Sequence, residues 1–190
     1  MLIALPIIVL VRVIISKAMK QKSISTTIWH ELGVCLFFLF LVGLASQTVI
    51  PKFDFGIGGV SIANGSLQGE INLIPGKVFI DTWRESVVGG YWLYLVINFI
   101  GNICMFLPIG FCIPLLWNKV SFRKTIVIAL GISLFIELCQ HPQARGTDID
   151  DLWINTLGAV IGYLLYALLN KKLSGFFGKF KTVTRTGQEI

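Results

Sequence analysis

Residues 137–162 read ELCQHPQARGTDIDDLWINTLGAVIG, and the reading of this stretch decides the rest. Glu137 and Gln140 close one apolar run, Arg145, Asp148, Asp150 and Asp151 fill a short gap, and Asn155 opens the next apolar run. A carboxylate inside an apolar helix is costly unless it faces a bundle interior or an aqueous cavity. The stretch therefore reads as two membrane helices joined by a polar knot, with the remainder of the chain as the scaffold that holds it.

Outward from the knot, composition supports that scaffold. The chain has 190 residues, of which 55% are hydrophobic and 14% charged. The apolar residues come in blocks of about 17–25, the length a helix needs to cross roughly 30 Å of hydrocarbon. The expected fold is all-α, a polytopic membrane helix bundle forming one domain over residues 1–190. About five transmembrane helices are expected, near residues 2–16, 28–49, 91–117, 125–140 and 152–170. The first is short and contains Arg12, which is expected to snorkel to the interface. Residues 51–90 form an outer loop region in which Asn64–Gly65 signals a turn and a small hairpin fits; its INLIP segment, residues 71–75, is apolar enough to dip back against the membrane. Residues 171–190 form a basic cytoplasmic tail. The four cysteines lack metal or redox spacing and read as packing residues.

Charge orients the bundle. Segments 17–27, 118–124 and 171–190 hold eleven of the sixteen Lys and Arg, whereas segments 51–90 and 141–151 hold four, with seven of the ten acidic residues. The positive-inside rule then places the N-terminus outside and the C-terminus in the cytoplasm of a multi-pass cell-membrane protein. Because the net charge of +6 sits in short loops between spans, it does not point to nucleic acid.

This topology gathers the polar residues on one face. Asn98 and Asn102 lie one turn apart on the third span, Glu137 and Gln140 share a face of the fourth, and Asp151, Asn155, Gly158 and Gly162 form one stripe of the fifth. All meet at the outer leaflet beside residues 145–151. A structural reading accounts for part of this set, since amide groups and a small-xxx-small surface join membrane helices. Arg145 can equally neutralise one of its neighbouring carboxylates. The acidic set matches no known cation loop, so neither metal nor cofactor is expected.

Three stretches resemble the VanZ-like family of bacterial membrane proteins: NLIP at 72–75, NFIGNICMFLPIGFCIPLL at 98–116, and the pattern running from Ser133 through Glu137, Gln140, Arg145, Asp148, Asp150, Asp151 and Asn155 to Gly162. Gly76 departs from the resemblance, because the family often carries an aromatic residue after that proline. The resemblance implies a membrane bundle connected with lowered susceptibility to the glycopeptide teicoplanin. It lands on Asn98, Asn102, Pro108 and the polar knot. Under it, Asn98, Asn102, Glu137, Gln140, Arg145, Asp148, Asp150, Asp151 and Asn155 would bind a lipid-linked or amphiphilic ligand, such as a lipid-linked peptidoglycan precursor or a lipoglycopeptide, with membrane lipids as the surrounding partners. Two rival expectations remain open. One is an intramembrane enzyme acting on a lipid-linked envelope substrate, with Glu137 as general base and Asp148 or Asp150 as its partner; the other is a structural subunit whose knot only closes the bundle.

Overall fold

A computed structural model of the chain describes residues 4–21, 24–49, 53–56, 59–62, 71–72, 74–77, 80, 83–84, 92–140 and 147–184. Among these, five long helices dominate: α1 (Ala4–Gln21), α2 (Ile28–Thr48), α3 (Trp92–Leu116), α4 (Phe122–Gln140) and α5 (Ile149–Phe177). Two begin where the sequence supplies a reason. Thr27 caps α2, its hydroxyl accepting from the His30 N–H at 3.1 Å, and Asp150 and Asp151 occupy the first turn of α5, where the helix dipole favours negative charge. α3 runs continuously through Pro108 and Pro114.

By length and composition three helices can cross a membrane: Ile28–Thr48, Phe99–Leu116 and Ile149–Phe180. α1 and α4 are also apolar, but each carries three charged residues: Arg12, Lys17 and Lys20 in α1, and Arg123, Lys124 and Glu137 in α4. In α4 two of those charges fall in the first turn and the third is buried, so its middle is free of charge. The molecule is a helical membrane bundle.

The core lies between α2, α3, α4 and α5. Val34, Phe37 and Leu44 of α2 meet Phe106, Ile109, Ile113 and Leu116 of α3, Ala129 and Ile136 of α4, and Ala159 of α5. The tightest approach is that of α3 to α5. A methyl group at Gly110 would lie 1.9 Å from the Ala159 carbonyl oxygen; at Gly158, 2.4 Å from that of Ile103; at Gly162, 2.1 Å from that of Leu107. These two backbones touch, and no side chain fits between them. Gly101, by contrast, faces open space and takes no part in the contact. The outward faces carry Leu36, Val127, Phe135, Leu138 and Leu168, apolar residues suited to lipid. α1 lies at the margin, packed chiefly on α2.

Short strand pairs tie the loops together and identify the two ends. At one end β1 (Ile24–Ser25) pairs antiparallel with β6 (Val183–Thr184), and Asn118 Nδ2 donates to the Thr182 carbonyl at 3.3 Å. At the other, β4 (Ile71–Asn72) pairs in parallel with β5 (Thr147–Asp148). The three Lys/Arg-rich segments thus share one end and the two acidic segments share the other, the alternation expected of five antiparallel passes. A hairpin of β2 (Phe53–Gly56) and β3 (Gly59–Ile62) reverses between Gly56 and Gly59. It therefore turns earlier than the Asn64–Gly65 signal, which lies outside the described residues.

Two features were not anticipated. Arg12 is paired: its side chain is 12% exposed and its Nη2 lies 2.9 Å from Glu31 Oε2, a carboxylate in the first turn of α2. The region after residue 170 is not a loose tail. α5 continues to Phe177 across non-helical dihedrals at Leu173, which lets the Phe177 ring stack on Tyr166, with centroids 5.8 Å apart. A 3-10 turn, Gly178–Phe180, then returns the chain to α2. There the Thr27 hydroxyl donates to the Lys179 carbonyl and His30 Nδ1 donates to the Phe180 carbonyl at 2.7 Å.

Candidate functional site

The buried face of α4 is a stripe at fourfold spacing: Thr125, Ala129, Ser133 and Glu137. Its last two members are polar, and that is where the site begins. Ser133 is fully buried and Glu137 is 2% exposed. Opposite them α5 presents Asn155, 5% exposed, whose Nδ2 donates to Ser133 Oγ at 3.0 Å. Asn155 Oδ1 is buried, with no hydrogen-bond partner among the described residues. Such an acceptor costs about 1–3 kcal/mol when left unmade, so this point of the bundle is set up to receive a donor.

One turn earlier on α5 the two aspartates diverge, as neighbours about 100° apart on a helix must. Asp151 turns to α3, where Asn102 Nδ2 donates to its Oδ1 at 2.9 Å. Asp150, wholly buried, accepts at Oδ1 from the Gly76 N–H at 2.7 Å and from the Trp153 indole at 2.8 Å. The ring of Trp153 is half exposed and meets Phe99 edge to face at 6.0 Å, so one residue both anchors the helix end and holds the carboxylate.

Gly76 belongs to a tight turn. The Lys77 N–H donates to the Ile74 carbonyl at 3.2 Å, and Gly76 has φ +83°. Proline at the second position and a left-handed glycine at the third are the pattern of a type II turn. That turn, with β4 beside it, lays the INLIP segment on the start of α5, where Ile74 and Pro75 stay exposed. The departure at Gly76 thus has a local cause: the turn needs a positive φ, and its N–H is aimed at Asp150.

Of the residues expected at the site, the structure brings Asn102, Glu137, Asp150, Asp151 and Asn155 to one end of α3, α4 and α5. Gln140 is the half-buried last residue of α4. Asn98 lies one turn before Asn102 on α3, and the Asp148 backbone pairs with Asn72; nothing further is described of their side chains. Arg145 lies outside the described residues. Three participants were not expected as site members: Gly76, Ser133 and Trp153. Each carried a sequence signal (the Pro-Gly pair, the one-turn spacing from Ser133 to Glu137, the indole at a helix start). Among the described residues no three His, Cys, Asp or Glu side chains are grouped to hold a metal ion.

Comparisons with known proteins bear on the same segments. The family model described as VanZ/LLP1 matches residues 34–170, a range that runs from within α2 to within α5 and includes the polar end. The chain is also similar to Protein VanZ of Enterococcus faecium, 34% identical over 76 residues. That similarity covers 40% of this chain and 47% of the relative, so it spans about half of that protein's length. No solved structure matches the chain.

Proposed function

Since this chain belongs to the VanZ/LLP1 family, we propose that its polar end binds a lipid-linked or amphiphilic envelope ligand at the outer leaflet, lowering susceptibility to teicoplanin-type glycopeptides. The single observation that carries this reading is the unmade acceptor of Asn155, buried between α4 and α5 in a setting otherwise rich in carboxylates and amides. In this reading, with the N-terminus outside and the C-terminus in the cytoplasm, the acidic end faces the compartment where glycopeptides meet their targets. Asn155 Oδ1 accepts from a ligand amide, hydroxyl or ammonium group. Arg145 pairs with a ligand phosphate or carboxylate, and Asn98, Gln140 and Asp148 are assigned to ligand binding.

Binding is favoured over intramembrane catalysis by the state of Asp150. Its Oδ1 already holds the Gly76 turn and the Trp153 indole, so one of the two carboxylates considered as partner of a Glu137 base acts as a structural acceptor.

The test is growth inhibition by teicoplanin beside vancomycin in a susceptible Gram-positive host expressing the wild type, Glu137→Gln or Arg145→Ala, with membrane abundance measured by immunoblot. The expected outcome is a teicoplanin-selective rise in tolerance that both variants lose at wild-type abundance. Tolerance unchanged by the wild-type protein, or kept by both variants, would overturn the reading.

A further inference from the structure

The opposite end of the bundle holds a second candidate site. A cleft of about 410 Å³ opens between α1, the start of α2 and the turn joining α3 to α4; Ile15, Met19 and Trp117 supply apolar walls, and Arg12, Asn118 and Lys119 the polar ones. A smaller cleft of about 280 Å³, bordered by Lys17 and Glu31, also reaches Arg12. The guanidinium therefore stands between two openings.

Its bonding is incomplete. Arg12 Nε donates to Glu31 Oε2 at 3.0 Å, and Nη2 lies against the same oxygen without forming a hydrogen bond to it or to any other described residue. Asn118 donates to Thr182 through Nδ2, yet its Oδ1 is buried with no partner among the described residues. Arg12, Asn118 and Lys119 thus line the larger cleft and Arg12, Lys17 and Glu31 the smaller, and Arg12 Nη2, Glu31 Oε1 and Asn118 Oδ1 are buried without a hydrogen-bond partner among the described residues. An occupant that completes this set brings an anion for Arg12 and hydrogen-bond donors for Glu31 Oε1 and Asn118 Oδ1. The apolar walls call for a hydrocarbon chain beside them.

We propose that this cleft is a binding site for an anionic phospholipid with a hydroxyl-bearing headgroup. Its phosphate lies on Arg12 and Lys119, its hydroxyl donates to Asn118 Oδ1, and one acyl chain runs along Ile15, Met19 and Trp117. The positively charged end of the bundle makes it the leaflet facing the Lys/Arg-rich loops that supplies the lipid. A phosphocholine headgroup, whose quaternary ammonium has no N–H or O–H donor, offers its phosphate to Arg12 but nothing to Asn118 Oδ1, so discrimination follows from the headgroup donor.

The experiment is native mass spectrometry of the full-length detergent-purified protein, titrated with phosphatidylglycerol, with phosphatidylcholine of identical acyl chains, and with inorganic phosphate. Phosphatidylglycerol is expected to bind saturably and at least tenfold more tightly than phosphatidylcholine, with no competition from inorganic phosphate. Lys119→Gln removes one exposed cation, and Ile15→Trp fills the groove from its lipid-facing side; neither touches the Arg12–Glu31 pair, and each is expected to weaken phosphatidylglycerol binding fivefold or more. Equal binding of the two lipids, or full retention in both variants, overturns the site. Competition by inorganic phosphate as effective as that by the lipid overturns the lipid assignment.

Discussion

At the residue scale the polar end depends on a few donors meeting a few carboxylate oxygens, and Gly76 is the most exposed to test. A methyl group added there meets nothing within 4 Å, so its cost is conformational alone. Gly76→Ala should destabilise the protein by about 1–2 kcal/mol, the penalty of a left-handed conformation for a side chain with Cβ. Gly76→Asn should cost less, because asparagine tolerates that region. Thermal unfolding in detergent measures both; equal effects would mean that the turn is not what Gly76 provides. The sequence made Glu137, Asp150, Asp151, Asn155 and Asn102 readable because ionisable and amide groups stand out against an apolar background. It hid how they pair. Nothing in the spacing of Asp150 and Asp151 tells which aspartate meets α3 and which meets a turn seventy-four residues earlier.

At the element scale the decisive contact is backbone against backbone. Gly158 and Gly162 sit one turn apart on α5, and Gly110 answers them from α3, so an added Cβ at any of the three strikes a carbonyl of the facing helix. Gly162→Ala and Gly110→Ala should each cost at least about 3 kcal/mol, the upper range of overpacking, and should lower the amount of folded protein recovered from membranes. Gly101→Ala is the control on α3: its Cβ faces open space, and recovery should be unchanged or improved. Fluorescence-detected size exclusion of the three variants decides between a contact and a mere stripe. The Gly158–Gly162 spacing announced a helix-packing surface, but its partner residue was not legible, since Gly101 and Gly110 look alike in sequence. Helix ends were read less well than helix centres. α5 overran the expected boundary at residue 170 because its later turns are stabilised by aromatic contacts with Phe111, Tyr166 and Phe180 and not by an apolar run.

At the scale of the whole molecule the alternation of charged loops was readable, because Lys and Arg in short loops carry topological information without reference to packing. The pairing of α1 with α2 through Arg12 and Glu31 was not, since an arginine near a helix end and a glutamate in the first turn of the next helix each have an ordinary explanation alone. Nor was the closure of the last residues onto α2 readable, as it uses backbone carbonyls that any sequence supplies. Ending the chain after Phe177 removes the carbonyls met by Thr27 and His30 together with the Phe180 ring, which packs on Trp29 at 5.9 Å. Loss of a packed phenylalanine alone costs about 3–5 kcal/mol, so the shortened protein should reach the membrane yet unfold at a clearly lower temperature. An unchanged unfolding temperature would mean that this closure is incidental.

That closure also sets an order of events during synthesis. α2 leaves the ribosome before α3, α4 and α5, but the groups that complete its first turn lie about 150 positions later in the chain. Until they arrive, a buried histidine and a capping threonine near the start of a membrane helix wait without their final partners. The contact between residues 178–180 and the start of α2 is therefore made after the helices between them have been synthesised, like a clasp fastened late.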